Sequence, residues 1–197
     1  MKQRLKERRR GSDLEEALLD AAWAELTERG YSGLTMDGVA ARAGTSRPVL
    51  ARRWEGKNAL AIAAIRQQMA KSPLAVPDRG DVRTELLEFM KRASARASAI
   101  AAAFTMVSSE YFQETSSLPQ DWRVALAGGE SSALDPILQR AVERGEIDAK
   151  KLVAPVVTLL TDLFRYHAIM TFSPPSPALR TSWVDCIFLP LVRKADQ

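Results

Sequence analysis

Arg47, Arg52 and Arg53 stand within one seven-residue stretch. A guanidinium is always charged and presents a planar fork of donors. It pairs bidentately with the O6/N7 edge of guanine or with phosphate oxygens. Covalent chemistry has far less to work with. The chain holds one His, His167, and one Cys, Cys186. A two-histidine metal site, or a Cys–His site with a further Cys, therefore cannot be built within one chain. There is no G-x-S-x-G elbow, no phosphate-cradling glycine loop and no metal-ligand spacing. The expectation is no catalytic residue, no metal and no cofactor. The alternative of a helical enzyme is left with carboxylates or with chemistry carried by its ligand.

Arginines read a duplex only when a scaffold holds them outward, and the residues around them supply one. Thr35 is placed to cap a short helix ending near Ala43, and Gly44 breaks it in a left-handed turn. Ser46 is placed to cap a next helix running to about Trp54, with Arg47 and Pro48 in its first turn, where proline costs little. Ala40 is the small residue where the two helices cross. Val39, Leu50 and Trp54 face inward, the last two sharing a face at i and i+4. The wheel then places Pro48 and Arg52 opposite Leu50, Arg47 and Ala51 on one flank, and Val49 and Arg53 on the other. Lys57 opens the following helix, where free amides and positive charge both suit a phosphate.

Charge is distributed to match. The 197-residue chain carries a net +4, but residues 1–71 hold 14 Lys/Arg against 9 Asp/Glu, and residues 72–197 hold 14 against 15. A basic end calls for an anionic partner, nucleic acid or a membrane surface. The membrane alternative needs a basic amphipathic helix, yet the run Lys2–Arg10 has only Leu5 as an apolar anchor. Arg4 to Arg10 read either as an arm along the DNA backbone or minor groove, or as a frayed terminus. No apolar stretch long enough for a signal peptide or a membrane span is present, and a single Cys fits a cytoplasmic setting.

The remaining pattern is helical throughout, with no period-two segment. Ser12 and Glu15 form the S-x-x-E pattern of a capping box opening a helix to Arg29, with Gly30 as its left-handed cap. A helix spans about Lys57 to Lys71, and Ser72 to Gly80 is a Pro/Gly-bearing linker. Asp81 caps a helix through Leu86, Phe89, Met90 and Ala97, and another carries Ile100, Phe104, Val107 and Tyr111. Asp135-Pro136 starts a helix closed by Gly145. Two more are expected, from about Ala149 to Thr171 and from Ser176-Pro177 to about Arg193. The division is a basic arm and helix-turn-helix domain over 1–56, a connecting helix and linker over 57–80, and a helical domain over 81–197.

The stretch GYSGLTMDGVAARAGTSRPVLARRWEGKNAL (30–60) resembles the DNA-binding domain of the TetR family of bacterial transcriptional regulators. The shared features are an aromatic after Gly, a Thr cap, a Val-Ala pair, Ala-Gly, a capping residue, a short recognition helix and then Lys. The resemblance implies an all-α protein, an N-terminal three-helix helix-turn-helix domain followed by a larger ligand-binding and dimerisation domain. It implies DNA contacts from Thr35, Thr45, Ser46, Arg47, Pro48, Val49, Ala51, Arg52, Arg53 and Lys57. Two positions depart from the family pattern. Ala51 stands where a phosphate-touching Tyr is usual. Gly38 replaces an acidic or polar residue inside the second helix, at about 1 kcal/mol of helix propensity.

The last two helices read as apolar nearly all round, so each needs cover on every side. A second copy of the chain is the expected cover, through Val156, Leu160, Phe164, Trp183, Ile187 and Leu191. A two-fold pair sets two recognition helices about 34–36 Å apart, one turn of DNA. Candidates to line a pocket for a small, mainly apolar effector are Phe89, Met90, Ala93, Phe104, Val107, Tyr111, Trp122, Phe164, Tyr166 and His167. Taken singly, each reads more simply as ordinary core. His167 reads more simply as a satisfied interface histidine, and Cys186 as a buried small hydrophobe. Asp162 and Arg165 read as a local ion pair. The function implied is a homodimeric, ligand-responsive regulator of a palindromic operator, most often a repressor.

Overall fold

The computed structural model describes residues 11–108 and 133–194, the side chains of residues 106–108 excepted. The described residues are helical, with no strand among them beyond an isolated Ile147–Arg193 bridge. Helix α1 spans Ser12–Gly33, α2 Met36–Ala43, α3 Arg47–Ala51 and α4 Gly56–Ala70. After the linker come α5 (Val82–Ser94), α6 (Ala97–Ser108), α7 (Asp135–Glu143) and α8 (Ala154–Thr171). The last helix, α9, covers 177–192.

The helices close around two cores. In the first, Leu18, Ala22 and Leu26 of α1 meet Val39 of α2, Leu50 of α3 and Leu60, Ala64 and Ile65 of α4. In the second, Leu86, Phe89 and Met90 of α5 pack with Ile137 and Leu138 of α7, Leu160 and Phe164 of α8, and Val184 and Phe188 of α9. Helix α6 serves both: Ala99 and Ala103 enter the first core, while Ala97 enters the second and Ile100 packs on it. Alanines permit this close double approach because they keep the helix surface thin.

The linker is strapped to the second core by side chains that satisfy its backbone. Arg96 Nε donates to the Ser72 carbonyl at 2.7 Å, Arg92 donates to that of Ala75, and Arg140 Nη2 donates to that of Val76 at 3.1 Å. Glu85, fully buried, accepts from Arg140 Nη2 at 2.5 Å and from the Arg79 N–H at 3.2 Å. Asp81 caps α5 as expected, accepting from the Thr84 N–H at 2.8 Å.

Several boundaries differ from the sequence reading. No capping box forms at the start of α1, because Gly11 holds the cap position at φ 64° and Ser12 is already in the helix, donating to Asp13. Gly30 does take positive φ, but with ψ 179° it makes a kink, and the chain completes another helical turn that buries Tyr31. Helix α3 stops at Ala51, short of Trp54. The helix expected from Ala149 is broken: a 3₁₀ turn at Ala149–Lys151 gives way to extended Val153 before α8 begins. Pro155 explains the restart, since it lacks an N–H and its ring blocks the carbonyl four residues back. Within α9, Trp183–Phe188 is a wide π-helical turn. The same proline rule applies to Pro190, whose ring would press on the Cys186 carbonyl of a regular helix; the wider turn relieves it. Cys186 is exposed rather than buried.

Candidate nucleic-acid interface

The surface is built from the α2–turn–α3 unit. Thr35, extended at φ −133°, accepts from the Gly38 N–H at 3.0 Å and so caps α2. Gly44 is left-handed (φ 68°, ψ 38°); its N–H reaches the Ala41 carbonyl at 3.2 Å while the Thr45 N–H reaches that of Ala40 at 2.9 Å. This paired closure sets the angle at which α3 departs. Leu50, fully buried, and Trp54, nearly so, anchor α3 from below. Ser46 holds the cap position of α3 without a side-chain hydrogen bond, which leaves its hydroxyl outward.

Gly38 has a reason that helix propensity misses. A Cβ there would stand 2.9 Å from Glu25 Oε2 and 3.0 Å from the capping Thr35 hydroxyl. Glu25 is a buried acid in the apolar stripe of α1, and Arg42 of α2 bridges it at 2.9 Å and Glu28 beside it. The Arg42 hydrogen bond holds the Glu28 carboxyl below its ordinary range. A buried carboxylate demands such a partner. Glu25 and Arg42 thus clamp α2 to α1, and Gly38 leaves the room. The sequence signal was an acid at a core position of α1.

Above this scaffold lie the cations. Arg47, Pro48, Ala51, Arg52 and Arg53 are all exposed. Arg47 Nη1 pairs with Asp37 Oδ2 at 3.1 Å, joining the start of α3 to the first turn of α2. Arg53 Nη1 donates to the Val49 carbonyl at 3.2 Å. The Lys57 ammonium stands 4.6 Å from the centre of the Tyr31 ring, a cation–π contact that fixes it at the start of α4. Among the described residues, the Arg52 side chain makes no hydrogen bond or ion pair, while its backbone N–H donates to the Pro48 carbonyl at 3.3 Å. Val49 and Thr45 are half-buried, and Val49 packs on the first core. The basic run 1–10 lies outside the described residues. The arrangement is a shallow, exposed, cationic face on a short helix with polar caps beside it, suited to phosphates and base edges.

The expected effector residues separate. Phe89, Met90, Ala93 and Phe164 are buried together in the second core. Tyr166 is a correction: 67% of it is exposed, on the outer side of α8, so it does not face the lobe interior. Phe104 is also exposed. His167 is half-buried and meets the Trp183 ring edge-on at 5.8 Å. The Val107 side chain, Tyr111 and Trp122 lie outside the described residues. Two open clefts occur elsewhere, one along the linker and α5 at Ser72, Arg79, Leu87 and Lys91, the other beside Asp13, Asp20 and Arg42. Neither includes a residue from the expected set.

The six residues expected to meet a second copy also divide. Leu160, Phe164 and Trp183 are buried in their own lobe, a correction that follows from their facing α5 and α9 or α8 across the second core. Val156 is half-buried, while Ile187 and Leu191 are exposed. The outward sides of α8 and α9 carry further apolar groups outside the expected interface set, Tyr166 and Met170 among them, with Phe172 just past α8. Asp162 and Arg165 form the expected local pair at 3.0 Å.

Fold and surface together define a helix-turn-helix protein with a larger helical second lobe. Residues 18–64 match the family described as bacterial regulatory proteins, tetR family, and residues 76–187 match the tetracyclin repressor-like C-terminal domain. The chain belongs to the TetR family of transcriptional regulators. It is 30% identical over 188 residues to the DNA-binding transcriptional repressor TetR of Mycobacteroides abscessus, covering 93% of this chain and 96% of that protein. An uncharacterised HTH-type transcriptional regulator of Mycobacterium tuberculosis is 28% identical over 188 residues, with 93% and 90% covered. A TetR-family regulator of known structure from Mesorhizobium loti superposes with a TM-score of 0.68 at 15% identity, covering 95% of this chain and all of that one. None of the described helices is long and apolar enough to cross a membrane.

Proposed function

We propose that the chain is a homodimeric transcriptional repressor that binds a palindromic operator and is released by a small, mainly apolar molecule. The carrying observation is the α3 surface: Leu50 and Trp54 fasten the helix inward, which leaves Arg47, Arg52 and Arg53 exposed. Thr35, Thr45, Ser46, Pro48, Val49, Ala51 and Lys57 complete the DNA-facing set. Repression is favoured over activation because the Mycobacteroides abscessus relative is a repressor. The protein acts in the cytoplasm and is not an enzyme.

The working division is a DNA-binding domain over 1–56, a connecting segment over 57–80 and an effector and dimerisation domain over 81–197. The second copy lies on the outward faces of α8 and α9, where Tyr166, Met170, Ile187 and Leu191 are exposed. Phe89, Met90, Ala93 and Phe164 form the apolar wall against which an effector binds. An effector that prefers a splayed arrangement of the recognition helices lowers operator affinity by its differential binding to the two states. Helix α4 transmits the change, since it packs in the first core and leads into the strapped linker.

Selection of bound duplexes from a random pool, at fixed salt, tests this reading. The expected product is a palindrome whose half-sites are one helical turn apart, about 34–36 Å, bound by two chains. Recovery of unrelated duplexes with no shared half-site overturns it.

A further inference from the structure

An acid on a DNA-facing surface is a liability, because it must approach a polyanion. Asp37 occupies such a place. It sits in the first turn of α2, is 69% exposed, and faces Arg47 across the turn at 3.1 Å. The pair adds little to stability: both groups are largely in water, where such contacts are worth well under about 1 kcal/mol. The clamp between α1 and α2 is made elsewhere, by Glu25 and Arg42. The Asp37–Arg47 pair is thus placed where it affects how the arginine meets its target.

We infer that Asp37 is a specificity-determining residue, which aims Arg47 at a base edge and withholds it from phosphates. The inference rests on the DNA-binding reading above. Only Nη1 of Arg47 is engaged by Asp37, so the other guanidinium N–H groups remain to form a bidentate contact with an acceptor pair such as guanine O6/N7. A guanidinium held in advance loses less freedom on binding. If Arg47 swings to a phosphate instead, it leaves Asp37 unpaired beside a negatively charged backbone. That state is penalised on every sequence, whereas the base contact keeps the ion pair and is available only on the right sequence. The outcome is discrimination through a repulsive element rather than through added attraction. Arg52, exposed and unpaired among the described residues, keeps its freedom for either target and has no comparable restraint.

The test uses the full chain and the duplex selected from the random pool, with a scrambled duplex of equal length. Dissociation constants are measured at several salt concentrations for wild type, Asp37→Asn, Arg47→Ala and the double variant, after melting curves establish that all are folded. Asp37→Asn is expected to tighten the scrambled duplex by about fivefold or more and to change the selected one by less than about twofold, so the ratio of affinities falls. With Arg47→Ala already present, Asp37→Asn should leave that ratio unchanged. Equal tightening on both duplexes overturns the inference, because it makes Asp37 a general repulsive charge. A fall of the ratio that persists without Arg47 overturns it too. Failure of wild type to prefer any duplex overturns the DNA-binding reading itself and takes this inference with it.

Discussion

Arg47 and Arg52 are both exposed, one opening α3 and the other just past its end, yet they differ in what holds them. Arg47 is tied to Asp37 and Arg53 to the Val49 carbonyl of α3, while the Arg52 side chain has no partner among the described residues. The Arg52 side chain thus has no contact among the described residues to break before it engages a target. Arg52→Ala is expected to weaken operator binding by about 1–3 kcal/mol, read in a shift assay at controlled salt. Unchanged affinity would remove Arg52 from the contact set. Residues inside the lobes behave differently. Glu85 is fully buried between Arg140 and Arg144. Arg140→Met leaves that carboxylate short of its closest partner, and the expected cost is about 3 kcal/mol of unfolding free energy, measured with denaturant. Operator affinity of the folded fraction should not move.

At the scale of elements, α2 shows why one residue's propensity is a poor guide. Gly38 costs about 1 kcal/mol against Ala in an isolated helix. In the folded chain a Cβ there would meet Glu25 and the Thr35 cap at 3.0 Å or less. The steric conflict is with a β-branched capping side chain and a paired, buried acid, neither of which yields easily. Gly38→Ala is therefore expected to lower stability by about 1 kcal/mol in spite of its better propensity. Gly38→Asp should cost more, since it sets a second carboxylate against Glu25. A melting temperature that rises for Gly38→Ala would show that Glu25 and Thr35 make room. The α8 break and the π turn of α9 follow the same logic: Pro155 and Pro190 each deny the backbone a regular turn, and the chain answers at the nearest place where packing allows it.

For the molecule as a whole, two properties are open to measurement. The first is assembly. Leu191 is 48% exposed and Ile187 lies exposed one turn before it on α9. Leu191→Glu is expected to halve the mass seen by sedimentation and to weaken operator binding by about a hundredfold or more, because two half-sites are then no longer engaged together. Its melting temperature, extrapolated to low concentration, should match wild type. A wild-type chain that sediments as a monomer at working concentration would end the homodimer reading. Leu160→Ala, by contrast, opens the second core and should cost about 2–5 kcal/mol of stability. The second property is acid sensitivity. Arg79 holds the Glu88 carboxyl at about 2, well below its ordinary 4.5. Arg42 lowers Glu28, the Gly80 N–H lowers Asp78, Thr84 lowers Asp81 and Arg83 lowers Asp185. Each of these groups binds its proton less readily folded than unfolded, so stability rises with pH across the interval between the two values. The melting temperature should hold down to about pH 5 and fall from there toward pH 2. A flat profile through that interval would show that these contacts do not survive in solution.

The DNA-facing unit was legible because it is local. Thr35, Gly44, Leu50 and Trp54 act on neighbours a few residues away, so caps, turn and inward face follow from spacing alone, and so does the outward side of Arg52. The helical character of the second lobe was legible from composition and period. What spacing could not supply is anything that depends on which of several apolar faces meets which neighbour. Helices α8 and α9 are apolar nearly all round. Only their packing on α5, on α6 and on each other decides that Leu160, Phe164 and Trp183 turn inward while Tyr166, Ile187 and Leu191 turn out. The pairings of Arg47 with Asp37, and of Arg42 with Glu25, also join separate elements. Their partners are set by the angle between helices, a property of the folded whole that no single segment contains.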